Sequence, residues 1–93
     1  MFTFKGDGFH AFHGITPQIH EEAFVAPQVF LSGDVRLGQY ASLWPGVAAR
    51  GDVNYISVGV CSNIQDLTCL HVADENPCII GDYVTVGHSA CIH

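Results

Sequence analysis

Six histidines stand against only three Lys+Arg. That ratio raises metal chemistry, because neutral imidazole is the commonest protein ligand for transition metals. Three of the six, His71, His88 and His93, lie close together toward the C-terminal end, whereas His10, His13 and His20 lie near the start. Arg50 stands two residues from Asp52, and Gln65 is followed by Asp66. In a chain with only 13% charged residues, one Arg beside two Asp makes sense if they pair on desolvation, since an unpaired buried charge is costly. The four cysteines, at 61, 69, 78 and 91, form no CxxC, so a zinc-ribbon or thioredoxin-type site is poorly supported. In a reducing compartment they read as small apolar side chains or quiet thiols.

What must position these residues is a repeat. An aliphatic residue recurs every six positions at Val25, Leu31, Leu37 and Leu43, with Ala49 next. After three extra residues the series resumes at Val58, Ile64 and Leu70, and after four more at Ile80, Val86 and Ile92. Four residues after each start comes a second, mostly small residue: Val29, Val35, Ala41, Val47, Val53, Ser62, Thr68, Val84 and Ala90, with Asp74 breaking the series. A helix repeats at 3.6 and an ordinary strand at 2, so a sustained six fits neither. It marks a parallel β-helix in which each hexad makes one short strand and one turn. Three hexads close a triangular coil, and about four coils are expected. Resemblance to hexapeptide-repeat proteins implies a left-handed prism. Residues 23–93 are the expected β-helix domain, with 1–22 flanking or capping its first coil.

Used as a ruler, the repeat says which residues stack. Residues three hexads apart at the same hexad position lie one above another, roughly one ~4.8 Å strand spacing apart. The second hexad position is small at Ala26, Ser32, Gly38, Gly59, Gly81 and Gly87, but holds Trp44, Arg50, Gln65, His71 and His93 elsewhere. Arg50, His71 and His93 thereby form one column on one edge of the prism. His88, stacked on Asp66, belongs to a different edge. His71 and His93 are close enough to share one metal ion. His88 completes the set only if a second copy brings its edge against theirs, and for a triangular prism the ring that closes such contacts is a homotrimer. Cys69 and Cys91 stack as well, which makes a disulfide geometrically possible, although reduced thiols are expected in a cytosol.

The stretch ARGDVNYISVGVCSNIQDLTCLHV, followed by IIGDYVTVGHSACIH, resembles the γ-class carbonic anhydrases and their bacterial relatives over roughly residues 10 to 93. The resemblance implies a left-handed β-helix that trimerises and binds Zn²⁺ (or Fe²⁺ or Co²⁺), one per chain, between subunits; family members run longer, and their further coils and C-terminal helix are expected to be lacking here. It implies His71 and His93 as ligands from one subunit and His88 from its neighbour. The implied reaction is reversible hydration of CO2 to bicarbonate, by a water that the metal acidifies to a pKa of about 7. Gln65 matches a residue that orients the attacking group. Arg50 matches one that ties subunits and touches bicarbonate, and Asp52 and Asp66 match its carboxylate partners. The family's acidic proton-exporting loop is here only VADENPC, so Asp74 or Glu75 would have to stand in. The chain stops at His93, and its last coil is expected to present an uncapped apolar end.

A net charge of -6 argues against nucleic acid or an anionic membrane as partner. No apolar run approaches the ~18 residues of a membrane-spanning helix. The start lacks a basic segment followed by an apolar one, so a cytoplasmic location is expected. Two other functions fit the pattern. One is a non-catalytic trimeric scaffold that keeps its metal for assembly. The other is a hexapeptide-repeat acyltransferase with a single catalytic His and a CoA thioester between coils.

Overall fold

The computed structural model describes residues 8–93, and all its regular structure is strand. The elements are β1 (Phe9–His10), β2 (Gln18–Ile19), β3 (Phe24–Val25), β4 (Phe30–Leu37), β5 (Ser42–Leu43), β6 (Ala48–Val58), β7 (Asn63–Ile64), β8 (Cys69–Leu70), β9 (Cys78–Ile80), β10 (Thr85–Val86) and β11 (Cys91–Ile92). Their pairing is parallel throughout and runs from coil to coil, which gives a solenoid of about four turns.

The faces follow the hexads. On the first face Phe9, Leu31, Ala49, Leu70 and Ile92 are successive partners. On the second, Ile19, Leu37, Val58 and Ile80 align. On the third, Val25, Leu43, Ile64 and Val86 align. Residues before the repeat therefore contribute β1 and β2 to the same ladders, while the Phe12–Ile15 turn between them stands off, with both residues exposed. Each aliphatic side chain points into the prism: Leu31, Leu43, Ile64 and Leu70 are 0% exposed. Burying each of these stabilises the fold by about 1.5–3 kcal/mol.

The second residue series faces inward too, with one correction. Val53 is 52% exposed. The strand bends within β6, and the extra residues shift the register after Gly33 and Gly51, so that Ile56 rather than Val53 pairs with Val35 and turns inward. One coil on, Cys78 pairs with Ile56 and is buried in the slot that Asp74 could not fill. Inward position is fixed by distance back from the next aliphatic residue once an insertion intervenes.

The three edges of the prism differ. Between the second and third faces, and between the third and first, the chain turns tightly. Residues there adopt positive φ, at Tyr40, Cys61 and Tyr83 on one edge and at Gln28, Gly46, Leu67 and Ser89 on the other. The turns close with bonds such as Ala41 N–H to the Gly38 carbonyl and Thr68 N–H to the Gln65 carbonyl, the pattern of a type II turn. The left-handed residues then donate to the preceding coil: Leu67 to Pro45 and Ser89 to Asp66. Between the first and second faces β4 and β6 simply run on through a bend, and the extra residues accumulate there. Gly51 is needed at that bend, because a Cβ would land on the Asp34 carbonyl oxygen of the coil below.

Candidate metal centre

The bend between the first and second faces carries the first group of residues. Ala49 pairs with Leu70 and Leu70 with Ile92, so Arg50, His71 and His93, each one residue later, rise in a column. The His71 and His93 rings lie 5.2 Å apart, tilted by 51°. This is the stacking distance the repeat predicts.

Asp52 organises the column. Its carboxylate accepts from Arg50 Nη1 at 3.2 Å, and both its oxygens lie 3.2 Å from His71 Nε2. The Val53 N–H donates to it at 2.7 Å. Partial burial pushes the Asp52 carboxyl up, but the hydrogen bonds from Val53 and His71 outweigh that and hold it below the usual carboxylate range. The Arg50 side chain is half exposed, so its ion pair adds at most about 1 kcal/mol. The Asp52–His71 contact does something different: a carboxylate on one ring nitrogen fixes the tautomer and orientation of the ring and so which nitrogen is free to bind.

The second group lies on the edge between the third and first faces. Gln65 follows Ile64, and its amide donates to Asn63 Oδ1 at 3.2 Å, while Asn63 donates to Thr85 Oγ1 at 3.0 Å. This Asn63–Thr85 ladder, which orients Gln65, was not visible in the repeat, because both residues occupy ordinary outward positions. Asp66 and His88 are adjacent through the Ser89 N–H to Asp66 carbonyl bond, and both side chains are exposed. None of the ion pairs among the described residues involves Asp66.

The structure thus brings Arg50, Asp52, His71 and His93 together and sets Gln65, Asp66 and His88 on another edge. Among the described residues of one chain, no three His, Cys, Asp or Glu side chains converge on a point. The remaining candidates are engaged locally. His10 stacks on Phe30, His13 lies against Phe12, and His20 Nδ1 accepts from the Glu22 N–H. Trp44 packs on Phe24 at the edge of the third face and donates to Ser42. Asp74 and Glu75 are exposed in the Ala73–Asn76 turn, where Asn54 Nδ2 holds the Asp74 carbonyl.

No family model matches the chain. Known proteins do. It is 51% identical over 84 residues to the mitochondrial gamma carbonic anhydrase 3 of Arabidopsis thaliana, an alignment covering 84% of this chain and 33% of that protein. This chain is a γ-carbonic-anhydrase-like member of the hexapeptide-repeat proteins. A carbonic anhydrase of Geobacillus kaustophilus is 44% identical over 84 residues, covering 90% of the chain and 46% of the relative. The crystal structure of a hexapeptide transferase family protein from Anaplasma phagocytophilum superposes with a TM-score of 0.84 at 40% identity, over 89% of this chain and 48% of that one. The γ-carbonic-anhydrase-like chain therefore spans between a third and a half of the length of these relatives. No helix among its described residues is long and apolar enough to cross a membrane.

Proposed function

We propose that this chain catalyses the reversible hydration of CO2 to bicarbonate at a divalent metal, Zn²⁺ or alternatively Fe²⁺ or Co²⁺, held between copies in a homotrimer. The observation that carries this reading is the pair of imidazoles, His71 and His93, 5.2 Å apart on one edge, with the third imidazole, His88, on an edge they cannot reach. The donor set fits the metal: neutral nitrogens suit Zn, Fe and Co alike, and three of them leave an open position. When bound, the metal acidifies a water and makes it nucleophilic at neutral pH.

The chain's own residues supply the rest. Asp52 holds the His71 ring in one tautomer. Gln65, braced by Asn63, presents a carbonyl oxygen that accepts a hydrogen bond from the attacking group and fixes its direction. Arg50, exposed beside Asp52, binds the bicarbonate anion and reaches the Asp66 of a neighbouring copy. Asp74 or Glu75, in solvent, carries the released proton away. Identity to proteins named carbonic anhydrase supports the reaction.

The test is complementation. His88→Ala and the double variant His71→Ala/His93→Ala should each lack metal and activity. Co-expressed, they should regain about one quarter of the sites, because random trimers pair an intact His71/His93 edge with an intact His88 that often. Stopped-flow hydration and metal per trimer are the readouts, and no recovery rejects a shared site. An acyltransferase reading draws on the transferase-like structural relative and is excluded if acetyl-CoA does not bind. A metal-loaded trimer that hydrates CO2 only at the uncatalysed rate is a scaffold.

A further inference from the structure

On the outer surface of the first face a second pattern sits beside the histidines. Cys69 and Leu70 of β8, with His71 just after, are matched by Cys91 and Ile92 of β11, with His93 just after, and Cys91 is the direct register partner of Cys69. Leu70 points inward, so the residues flanking it point out, and the same holds around Ile92. All four cysteines are free. Cys78 faces the core opposite Ile56, and Cys61 sits in a tight turn. Cys69 and Cys91 alone are partners, one half-buried and one exposed. Ala48 precedes them in the column and Phe30 precedes Ala48, so the pair borders an apolar strip with no carboxylate in it.

In-register parallel strands are near-translations of one another. Like rotamers therefore place the two sulfurs about one strand spacing, ~4.8 Å, apart. The 5.2 Å between the His71 and His93 rings shows that spacing in the adjoining column. A disulfide needs its Cβ atoms about 3.8 Å apart and its sulfurs in bonding contact at about 2.05 Å, which means pinching two strands held by a shared ladder. Two metal–sulfur bonds of about 2.3 Å laid end to end span about 4.6 Å, which requires no such movement. Zinc wants four ligands, and no three of these side chains converge.

We propose that Cys69 and Cys91 form a two-coordinate site for a soft monovalent cation, Cu(I), bridging β8 and β11. Thiolates select that ion over harder divalent ones. Two S–H bonds are lost, two Cu–S bonds form, and two protons pass to solvent; copper stays Cu(I), so no oxidant enters. The site is separate from the shared histidine centre and needs no second copy.

The experiment titrates the reduced full chain with Cu(I) under anaerobic conditions against bicinchoninate, with sulfur coordination read by X-ray absorption. One Cu(I) per chain on two sulfurs is expected. Cys69→Ser and Cys91→Ser should each weaken it at least 100-fold, with strand content checked by circular dichroism. Cys61→Ser and His88→Ala should leave it unchanged. His88→Ala also separates the two proposals, since it abolishes a shared histidine site without touching the thiols. Unweakened binding in both Cys69→Ser and Cys91→Ser, or loss confined to His71→Ala/His93→Ala, overturns the proposal. So does a reduced protein that takes no Cu(I) and closes a Cys69–Cys91 disulfide on mild oxidation.

Discussion

The two edges that carry the polar residues are built on opposite plans. At the bend between the first and second faces the chain keeps its strand conformation, and its polar side chains are wired to one another: Arg50 to Asp52, Asp52 to His71, His71 beside His93. At the edge between the third and first faces the backbone turns sharply through Leu67 and Ser89 at positive φ. There Asp66 and His88 project into solvent. On the proposed reading, the first edge is a half-site oriented by its own neighbours, and the second is the donor edge that a centre assembled between copies would require.

The largest expected effect tests that division directly. Metal content should fall from about one per chain to near zero in His71→Ala and in His93→Ala, measured by elemental analysis of the trimer peak. A loss in only one of them breaks the pairing of the two rings. Next comes Asp52→Asn, which keeps size but loses the charge facing His71 Nε2. Metal affinity should drop about 10–100-fold, the usual cost of removing a carboxylate that orients a ligating histidine, while a change of Asp66 to Asn should leave the isolated chain's fold untouched.

Stability measurements sharpen the contrast between bend and turn. Gly51→Ala drives a Cβ into the Asp34 carbonyl and should cost about 1–3 kcal/mol in urea unfolding, as overpacking does. The tight turns depend instead on buried hydroxyls. Ser62 donates to the Gly81 carbonyl and accepts from Val84 N–H, and Thr68 does the same for Gly87 and Ala90. Ser62→Ala leaves both backbone groups without that partner and should cost about 1–3 kcal/mol. The smallest effect is expected at Tyr83, 78% exposed with φ 58°. Tyr83→Gly relieves left-handed strain but loosens the unfolded chain, so the two should cancel to within about 0.5 kcal/mol.

Much of this was legible in the sequence because one rule governs the whole prism. The aliphatic series from Val25 to Ile92 set the register partners of its own positions, and with them the Arg50–His71–His93 column and the separation of His88. What the series did not give lies where that rule is interrupted or where neighbours act sideways. Val53 followed the count but not the chain, since the bend in β6 handed its place to Ile56. The Asp52 carboxylate reaching up to His71, and Asn63 bracing Gln65 across to Thr85, depend on side-chain direction within one face, and a period of six carries no information about that. The left-handed φ at Tyr40, Cys61, Leu67 and Tyr83 was hidden too, because those turns use residues that ordinarily avoid it and recover the cost through bonds to the adjacent coil.

Because every backbone bond between coils points along the prism axis, the molecule has a mechanical grain. Force applied across the axis would load several ladders together in shear. Force applied along it would instead part a single coil at a time, three short strands per step, each release leaving the next rung to bear the load. Stretched end to end, such a chain lengthens like an unwinding spring, in increments of 18, 21 and 22 residues, the spacings between the stacked partners Leu31, Ala49, Leu70 and Ile92.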